Sequence, residues 1–283
     1  MQELINKINK LKQIKKAVIL VHNYQRPEIY QVADFIGDSL ELARKAAKTK
    51  AKIIVFCGVD FMAESAKILN PDKKVLLPAI MAKCPMAAMV DEQGLIELQK
   101  KYPKAQTVCY INTSARTKAL CDICCTSANA VKVVKSLAAK QIIFVPDKHL
   151  AAYVQSQLPE KEIIAWEGFC YVHSRIIVEQ LKKAREIHPQ AKVVAHPECP
   201  QEVLALADHV TSTSGMITYA RETKAEEFIV ATEMGMVNRL QIEVKKPHQY
   251  VRQICDRSLA YASIIPSESA SEETKRKCRI LAQ

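Results

Sequence analysis

The chain has 283 residues, a formal net charge of +11 and a hydrophobic content of 49%. This length favours two or three domains, and the apolar content is ample for their cores. No apolar stretch reaches the ~18 residues that span a bilayer, which argues against a membrane protein. Scattered lysines and an aromatic content of only 6% argue against nucleic-acid binding. The positive charge instead favours anionic small substrates.

The N-terminus and the cysteines indicate a cytoplasmic protein. The segment MQELINKINKLKQIKK predicts a helix over residues 1–16 and contains no signal-peptide core. There are ten cysteines, of which Cys57 and Cys109 fall inside predicted strands. In a long chain without a signal, this favours reduced thiols in the cytosol over a secreted disulfide framework.

An internal repeat divides the chain into three similar segments. Each copy opens with an apolar run that ends in polar residues, and equivalent positions are 88 and then 86 residues apart. This period exceeds the usual range of solenoid repeats, so we expect three small domains rather than a stacked array. Helices stop at prolines near Pro103 and Pro189. The predicted boundaries are therefore 1–16 for the N-terminal helix and 17–103, 104–190 and 191–283 for the repeats.

Alternating strands and helices predict an α/β fold. The strands are continuous apolar runs such as KIIVFCGVD, QIIFVPDKH and EFIVATEMG, as expected for parallel sheets covered on both faces. Helical segments such as SRIIVEQLKKAREIH separate them, which is typical of βαβ units. Ligands of such sheets bind beyond the carboxyl ends of the strands.

Polar residues recur at matching places beyond the first strand of each copy. Because these places follow strand ends, we expect the three sets to contribute to one site. The matched sets are His22, Tyr110 and His196; then Tyr24, Asn112 and Glu198; then Asp34, Asp122 and Asp208; and finally Ser39, Ser127 and Thr213.

One cysteine per copy follows the same repeat. Cys84, Cys170 and Cys255 are 86 and 85 residues apart, so equivalent positions can bring their thiols together. Three converging thiolates form a soft metal site. Structural zinc is four-coordinate, and no fourth ligand is evident, so a zinc-structural site is disfavoured.

Several segments resemble one enzyme family. The segments HNYQRPEIYQVADFIGDSLELA, KCPMAAM, YINTSARTKA, WEGFCYVHSR, HPECP and FIVATEMGM lie within about residues 17–255 and are similar to the quinolinate synthase family of NAD biosynthesis. The resemblance implies three pseudo-threefold-related αβα sandwich domains around a central cavity, and a 4Fe–4S cluster held by three cysteines. It also implies condensation of iminoaspartate with dihydroxyacetone phosphate to quinolinate, with loss of phosphate and two waters.

The resemblance makes Cys84, Cys170 and Cys255 the cluster ligands, since cysteine thiolates are the usual ligands of such clusters. An iron without a protein ligand then acts as a Lewis acid for dehydration. We expect Glu198 to be the general base, with a pKa that rises in a dry cavity. His22, Tyr24, Tyr110 and His196 are expected to hold enolates and shuttle protons.

The remaining polar positions are expected to bind substrate or to support the fold. Asn112 is positioned to donate to a substrate carboxylate. Hydroxyl groups at helix starts favour phosphate or carboxylate. We therefore expect Ser39, Ser127 and Thr213, with the adjacent Ser212, to hold anions, and Asp34, Asp122 and Asp208 to fix turns before the helices.

Other cysteines are interpreted as packing or surface residues. Cys121, Cys124 and Cys125 have redox or zinc spacing, but no second pair accompanies them, so we interpret them as packing residues. The same interpretation covers Cys57, Cys109, Cys199 and Cys278.

Two departures from the family keep other functions open. The run CDRSLAY replaces the usual Met-Lys pair after Cys255, and Arg116 stands where an acidic residue is common. The alternatives are a paralogue that processes another small anionic substrate and a non-enzymatic iron–sulfur sensor. Under the main interpretation the partners are iminoaspartate and dihydroxyacetone phosphate, with supply from an aspartate-oxidising enzyme, and neither nucleic acid nor membrane.

Overall fold

The computed structural model describes residues 1–244 and 250–253, the last four as backbone only. These residues form two compact units. The first contains Met1–Cys84, and the second contains the described residues of Pro85–Asp256.

The first unit contains one parallel sheet. Its four strands have the order β2-β1-β3-β4, so the first strand lies inside the sheet. The elements are α1 Gln2–Ile14, β1 Ala17–His22, α2 Pro27–Tyr30, β2 Phe35–Gly37, α3 Ser39–Lys48, β3 Ile53–Cys57, α4 Asp60–Leu69 and β4 Lys74–Leu76.

The second unit contains two further parallel sheets and two short 3₁₀ turns. The elements of its first part are the turn Pro85–Ala88, α5 Glu92–Lys101, β5 Gln106–Tyr110, α6 Ala115–Ala119, β6 Ile123–Cys125, α7 Ala130–Ser136, β7 Gln141–Val145, α8 Lys148–Gln157 and β8 Glu162–Ala165. Those of its second part are the turn His173–Arg175, α9 Val178–Ile187, β9 Lys192–Ala195, α10 Gln201–Leu204, β10 His209–Val210, α11 Thr213–Glu222, β11 Glu227–Ala231, α12 Gly235–Glu243 and β12 Tyr250–Gln253.

All three sheets share one strand order. The sheets of the second unit run β6-β5-β7-β8 and β10-β9-β11-β12, which repeats the order of the first. Every pairing in them is parallel. The inner strands are apolar because they are covered, as in β7, where residues 142–145 are fully buried. The predicted α/β class with short parallel sheets is confirmed, while the three-domain division stays a prediction.

A repeated aspartate fixes the start of the second strand in each sheet. The carboxylates of Asp34, Asp122 and Asp208 accept the backbone N–H of Ile19, Thr107 and Val193, at 2.8, 2.6 and 2.9 Å. Each aspartate also donates its own N–H to the carbonyl oxygen of the same residue. These side chains therefore set the register between two strands. The expected role at turns before the helices is wrong in its location, because each aspartate precedes a strand.

No helix in the described part of the chain combines the length and the apolar character that a membrane span requires.

Removing the carboxylate of Asp122 is expected to destabilise the fold. Asp122→Ala leaves the buried Thr107 N–H without its acceptor, so we expect the free energy of unfolding to fall by about 1–2 kcal/mol. Urea unfolding followed by circular dichroism measures this change. Asp122→Asn is the matched control, since its side-chain oxygen still accepts the bond. Equal losses for the alanine and asparagine variants would contradict the proposed register role.

Candidate active site

Three side chains from two segments of the second unit lie close together. Nδ1 of His173 lies 2.8 Å from Oε2 of Glu198 and 3.1 Å from Sγ of Cys170. His173 and Glu198 are buried, and Cys170 is half-buried. Because a buried carboxylate needs compensation, this arrangement is a candidate site rather than a packing feature.

Turns at the ends of parallel strands position these groups. Cys170 lies in the loop after β8, where its backbone N–H donates to Oδ2 of Asp147 at 3.0 Å. The other oxygen of Asp147 caps α8 by accepting the Leu150 N–H at 2.7 Å. His173 begins the 3₁₀ turn that follows Cys170. One aspartate thus ties the cysteine loop to the start of a helix.

The two histidines are oriented by hydroxyl groups. The imidazoles of His173 and His196 stack with ring centroids 4.7 Å apart. Nε2 of His173 lies 2.8 Å from Oγ1 of Thr232, and Nε2 of His196 lies 3.2 Å from Oγ of Ser127. The two side chains are therefore fixed at both ends of the ring, as required of groups that hold or move a proton.

Both imidazoles face the carboxylate of Glu198. Nδ1 of His173 lies 2.8 Å from Oε2 of Glu198, and Nδ1 of His196 lies 3.7 Å from the same oxygen. Nδ1 of His196 also lies 3.4 Å from the backbone nitrogen of Glu198. At these distances a protonated imidazole offsets the negative charge of the carboxylate.

Glu198 is held in its ionised form. Burial would raise its pKa, but the charges of the adjacent His173 and His196 imidazoles outweigh burial and lower the pKa to about 2, with a further contribution from the Tyr110 hydroxyl. The expectation that the pKa of Glu198 rises in a dry cavity is therefore wrong. The carboxylate is therefore ionised at neutral pH, but a pKa this low makes it a weak base unless substrate binding raises the pKa toward the operating pH.

Two other buried carboxylates in this unit behave in the opposite way. Burial, together with the negative charge of Glu198, raises the pKa of Asp147 well above its usual range. Burial also raises the pKa of Glu233 to about 7, although the Gly235 and Met234 N–H groups oppose it. Neither residue was singled out from the sequence.

Two residues of the second copy contact residues of the third copy. Ser127, in the turn after β6, lies 3.2 Å from Nε2 of His196, and Tyr110, at the end of β5, hydrogen-bonds to Glu198. Asn112 is half-buried in the loop that follows Tyr110, and no contact of its side chain with these residues is seen within the described part of the chain. A site shared by all the matched positions stays a prediction.

The helix starts differ from the sequence interpretation. Ser39 and Thr213 are the first residues of α3 and α11, but the caps are the preceding Asp38 and Ser212. Oδ1 of Asp38 accepts the N–H groups of Leu40 and Glu41, which places an acid at the start of α3. The neutral Ser212 caps α11 through Gly215, so the start of α11 suits an anion better.

In the first unit, the matched residues form a local turn. Nδ1 of the buried His22 accepts the Tyr24 N–H at 3.3 Å, and the two rings pack edge to face with centroids 4.9 Å apart. This repeats the contact between His196 and the Glu198 N–H. The repeat therefore extends to the side-chain hydrogen bond that shapes the turn.

Two of the three predicted cluster ligands lie in the described part of the chain, and both suit a soft metal. Cys84 and Cys170 are half-buried, whereas Cys109, Cys125 and Cys199 are buried. Cys255 lies outside the described residues. Partly accessible thiols in turns are suitable for iron–sulfur ligation, which buried core thiols are not.

The other cysteines divide between packing and surface. Contact with the Cys121 thiol, together with burial, raises the pKa of Cys109 to about 12, so this thiol stays protonated. Burial likewise raises the pKa of Cys125. Cys124 is exposed, so the packing interpretation is wrong for this residue.

Cys278, like Cys255, lies outside the described residues. Cys57 is half-buried beside a core cluster, and Cys199 is fully buried, in agreement with the packing interpretation.

Arg116 is a surface residue. Its side chain is 83% exposed, and its guanidinium lies 3.9 Å from a carboxylate oxygen of Glu92. Such exposed pairs contribute little to stability. The structure does not explain the departure from the family at this position.

Sequence reasoning missed His173 and Thr232. His173 follows Cys170 by three residues, and this C-x-x-H spacing was the available signal. Thr232 directly follows β11, where ligands of parallel sheets collect. In the first copy the position equivalent to His173 is Ala87, so that copy gives no signal for a polar residue there.

Replacing Glu198 is expected to change how stability depends on pH. The pKa of this carboxyl is lower in the folded chain, at about 2, than in the unfolded chain, at about 4.3. The ionised group therefore stabilises the fold above pH ~4.3, and this contribution is lost as pH falls toward ~2. The difference in unfolding free energy between wild type and Glu198→Gln should shrink over this window. Urea unfolding at several pH values measures it.

The exposed Glu160 provides the control for that experiment. Glu160→Gln should leave the pH dependence close to that of the wild type. A difference between wild type and Glu198→Gln that stays constant from pH 5 to pH 3 would contradict the assignment of an ionised, imidazole-paired Glu198.

Comparisons with known proteins find relatives that all carry the same name. The family model for Quinolinate synthetase A protein matches residues 6–265. A quinolinate synthase of Methanosarcina barkeri is 57% identical over 238 residues, which cover 84% of this chain and 78% of the relative. One from Alkaliphilus metalliredigens is 54% identical over 240 residues, covering 85% and 79%. One from Clostridium kluyveri is 48% identical over 256 residues, covering 89% and 84%.

The family match covers most of the chain, including the segments that carry the buried site. The chain therefore belongs to the quinolinate synthetase A protein family.

Proposed function

We propose that this chain is a quinolinate synthase that acts in NAD biosynthesis. The reaction joins iminoaspartate and dihydroxyacetone phosphate through one new carbon–carbon bond and one new carbon–nitrogen bond. It releases quinolinate, one phosphate and two water molecules, which balances all atoms. The observation that supports this most strongly is the ionised, buried Glu198 between His173 and His196, in a chain whose relatives carry this name.

We assign the iron–sulfur cluster to Cys84, Cys170 and Cys255. The first two are half-buried, which suits ligation. When bound through three thiolates, a 4Fe–4S cluster supplies a Lewis-acidic iron that polarises an oxygen of the substrate. Asp147 then acts as a positioning residue, because it fixes the backbone of Cys170.

Proton transfers fall to the buried carboxylate and the two imidazoles. The reaction removes protons from carbon and delivers protons to leaving hydroxide groups. Glu198 can take a proton at Oε2, since it is ionised and faces Nδ1 of His173 at 2.8 Å. His173 can pass a proton between Glu198 and the Thr232 hydroxyl. Burial of all three groups keeps water from quenching carbanionic species.

Substrate anions are assigned to hydroxyl groups and to N–H groups at a helix start. Phosphate is best placed at the start of α11, where Ser212 is neutral and Thr213 is the first helical residue. Ser127 and Asn112 are proposed to contact substrate carboxylates, Tyr110 and His196 to hold enolates. In the first unit, Ser39 contributes a hydroxyl, and His22 and Tyr24 contribute polar groups at a strand end.

The proposed substrate also implies how it is supplied. Iminoaspartate is an imine that hydrolyses in water, so the reaction needs a nearby source. We propose transfer from an aspartate-oxidising enzyme, in the cytoplasm. No nucleic-acid or membrane partner is part of this proposal.

Quinolinate formation is the direct test. Protein reconstituted anaerobically with iron and sulfide, and supplied with dihydroxyacetone phosphate and an iminoaspartate source, should form quinolinate over many turnovers. Mass spectrometry detects the product. Glu198→Gln should retain its iron and lose at least about 100-fold in rate, as expected for a general base. No product from wild-type protein with a verified cluster would overturn the proposal and favour a paralogue.

Cluster ligation is tested separately. Cys84→Ser should not assemble a four-iron cluster, because serine lacks the thiolate that such clusters require. Iron analysis and the visible absorption spectrum measure the outcome. Cys57→Ser is the control, since Cys57 is a half-buried cysteine of the same unit that we do not assign to the cluster. A Cys84→Ser protein with about four irons per chain would remove Cys84 from the ligand set.

A further inference from the structure

Cys170, His173 and Glu198 form a compact ligand set that lies wholly within the second unit. One donor atom from each, a sulfur, a ring nitrogen and a carboxylate oxygen, lies within 4.8 Å of the others. Within the described ranges, this is the one group of three or more such side chains with this property. Zinc-class ions bind thiolate, imidazole and carboxylate, and three protein ligands plus water is their usual open arrangement.

The distances suit a single small cation. Zinc bond lengths place neighbouring ligand atoms of a tetrahedral site about 3.4–3.6 Å apart. Nδ1 of His173 now lies 3.1 Å from Sγ of Cys170 and 2.8 Å from Oε2 of Glu198. An ion that replaces the shared proton therefore needs these side chains to separate by about half an ångström.

The surroundings already orient the ligands. When Nδ1 of His173 binds a metal, its Nε2–H can donate to Oγ1 of Thr232, which lies 2.8 Å away. A partner of this kind on the far ring nitrogen is usual for metal-bound histidine. Asp147 holds the Cys170 backbone from the other side. Two of the three proposed ligands, His173 and Cys170, are thus held by neighbouring residues.

An unsatisfied oxygen provides independent support. Oε1 of Glu198 is buried and has no hydrogen-bond partner among the described residues. A buried carboxylate oxygen without a partner is uncommon and points to an additional ligand. A cation between Cys170 and His173 lies beside this carboxylate and would supply the missing interaction.

We propose that, in the chain without its iron–sulfur cluster, Cys170, His173 and Glu198 bind one zinc-class divalent cation, with water as a fourth ligand. This site needs neither Cys84 nor Cys255, so it differs from the three-cysteine site. Since Cys170 belongs to both, the single ion and the cluster exclude each other, a consequence that rests on the proposed function. Excess zinc would thereby block cluster assembly.

Cobalt titration tests the site in the full-length protein. Protein freed of metal by a chelator under anaerobic conditions is titrated with Co²⁺, whose visible bands report tetrahedral coordination and whose charge-transfer band reports a thiolate ligand. We expect one equivalent per chain with both signals. Cys170→Ser should lose the charge-transfer band, and His173→Gln should lose tight binding. Thr232→Val, which keeps all three ligands, should weaken binding about 10–100-fold.

Matched variants separate this site from its alternatives. His188→Gln removes another histidine that faces a glutamate, Glu227, at 2.6 Å, and should bind Co²⁺ normally. Cys84→Ser should also bind Co²⁺ normally. Binding that survives His173→Gln, or that is lost in Cys84→Ser, would overturn the proposal.

X-ray absorption of the zinc-bound wild type gives a second answer that does not depend on the folding of variants. We expect one sulfur at about 2.3 Å and the other ligands at about 2.0–2.2 Å. Two or three sulfurs would show that other cysteines bind the ion, which would contradict the proposed set.

Competition with iron distinguishes the two proposals. Preloading with one equivalent of Zn²⁺ should lower the cluster content after iron and sulfide are added, and a chelator should restore it. If the cobalt spectra are as expected and zinc stays bound to protein that also carries an intact cluster, the ion site stands and Cys170 is not a cluster ligand. If cobalt fails to bind while quinolinate forms normally, the proposed function stands and the single-ion site is wrong.

Discussion

The contact between Glu198 and His173 is the interaction on which the site depends. A carboxylate without exposure to water is unfavourable unless positive charge compensates it. Here the 2.8 Å contact with His173 and the nearby His196 provide that charge. Two hydroxyl groups keep these imidazoles in place: Thr232 lies at Nε2 of His173, and Ser127 lies at Nε2 of His196. The chemistry proposed for the chain is therefore a consequence of how one buried charge is stabilised.

The repeat explains why the supporting residues occur where they do. Each copy builds the same four-stranded parallel sheet, and an aspartate at the start of the second strand fixes its register. With the strands in register, the residues after the first strand of every sheet emerge at the carboxyl edge. The turn after that strand is also repeated, since His22 and His196 both accept the N–H two residues on.

Much of the fold and part of the site can be predicted from the sequence, because the internal repeat constrains many positions together. The similarity of the three parallel sheets, and the meeting of Ser127 with His196, follow from matched spacing across copies. His173 does not, because the residue three after Cys84 in the first copy is Ala87, so the repeat gives no signal. The pKa of Glu198 was predicted in the wrong direction for the same reason: burial was evident, but the second imidazole that offsets it was not.

The three buried carboxylates of the second unit show how environment divides their roles. Asp147 and Glu233 accept hydrogen bonds from backbone N–H groups, but these do not outweigh the effect of burial. Their pKa values are therefore raised. Glu198 faces two imidazoles, and its pKa is lowered. Its negative charge in turn raises the pKa of Asp147. Titratable groups pushed apart in this manner mark acid and base assignments. In the proposed reaction the base is Glu198, and Asp147 holds the Cys170 loop without competing for the transferred proton.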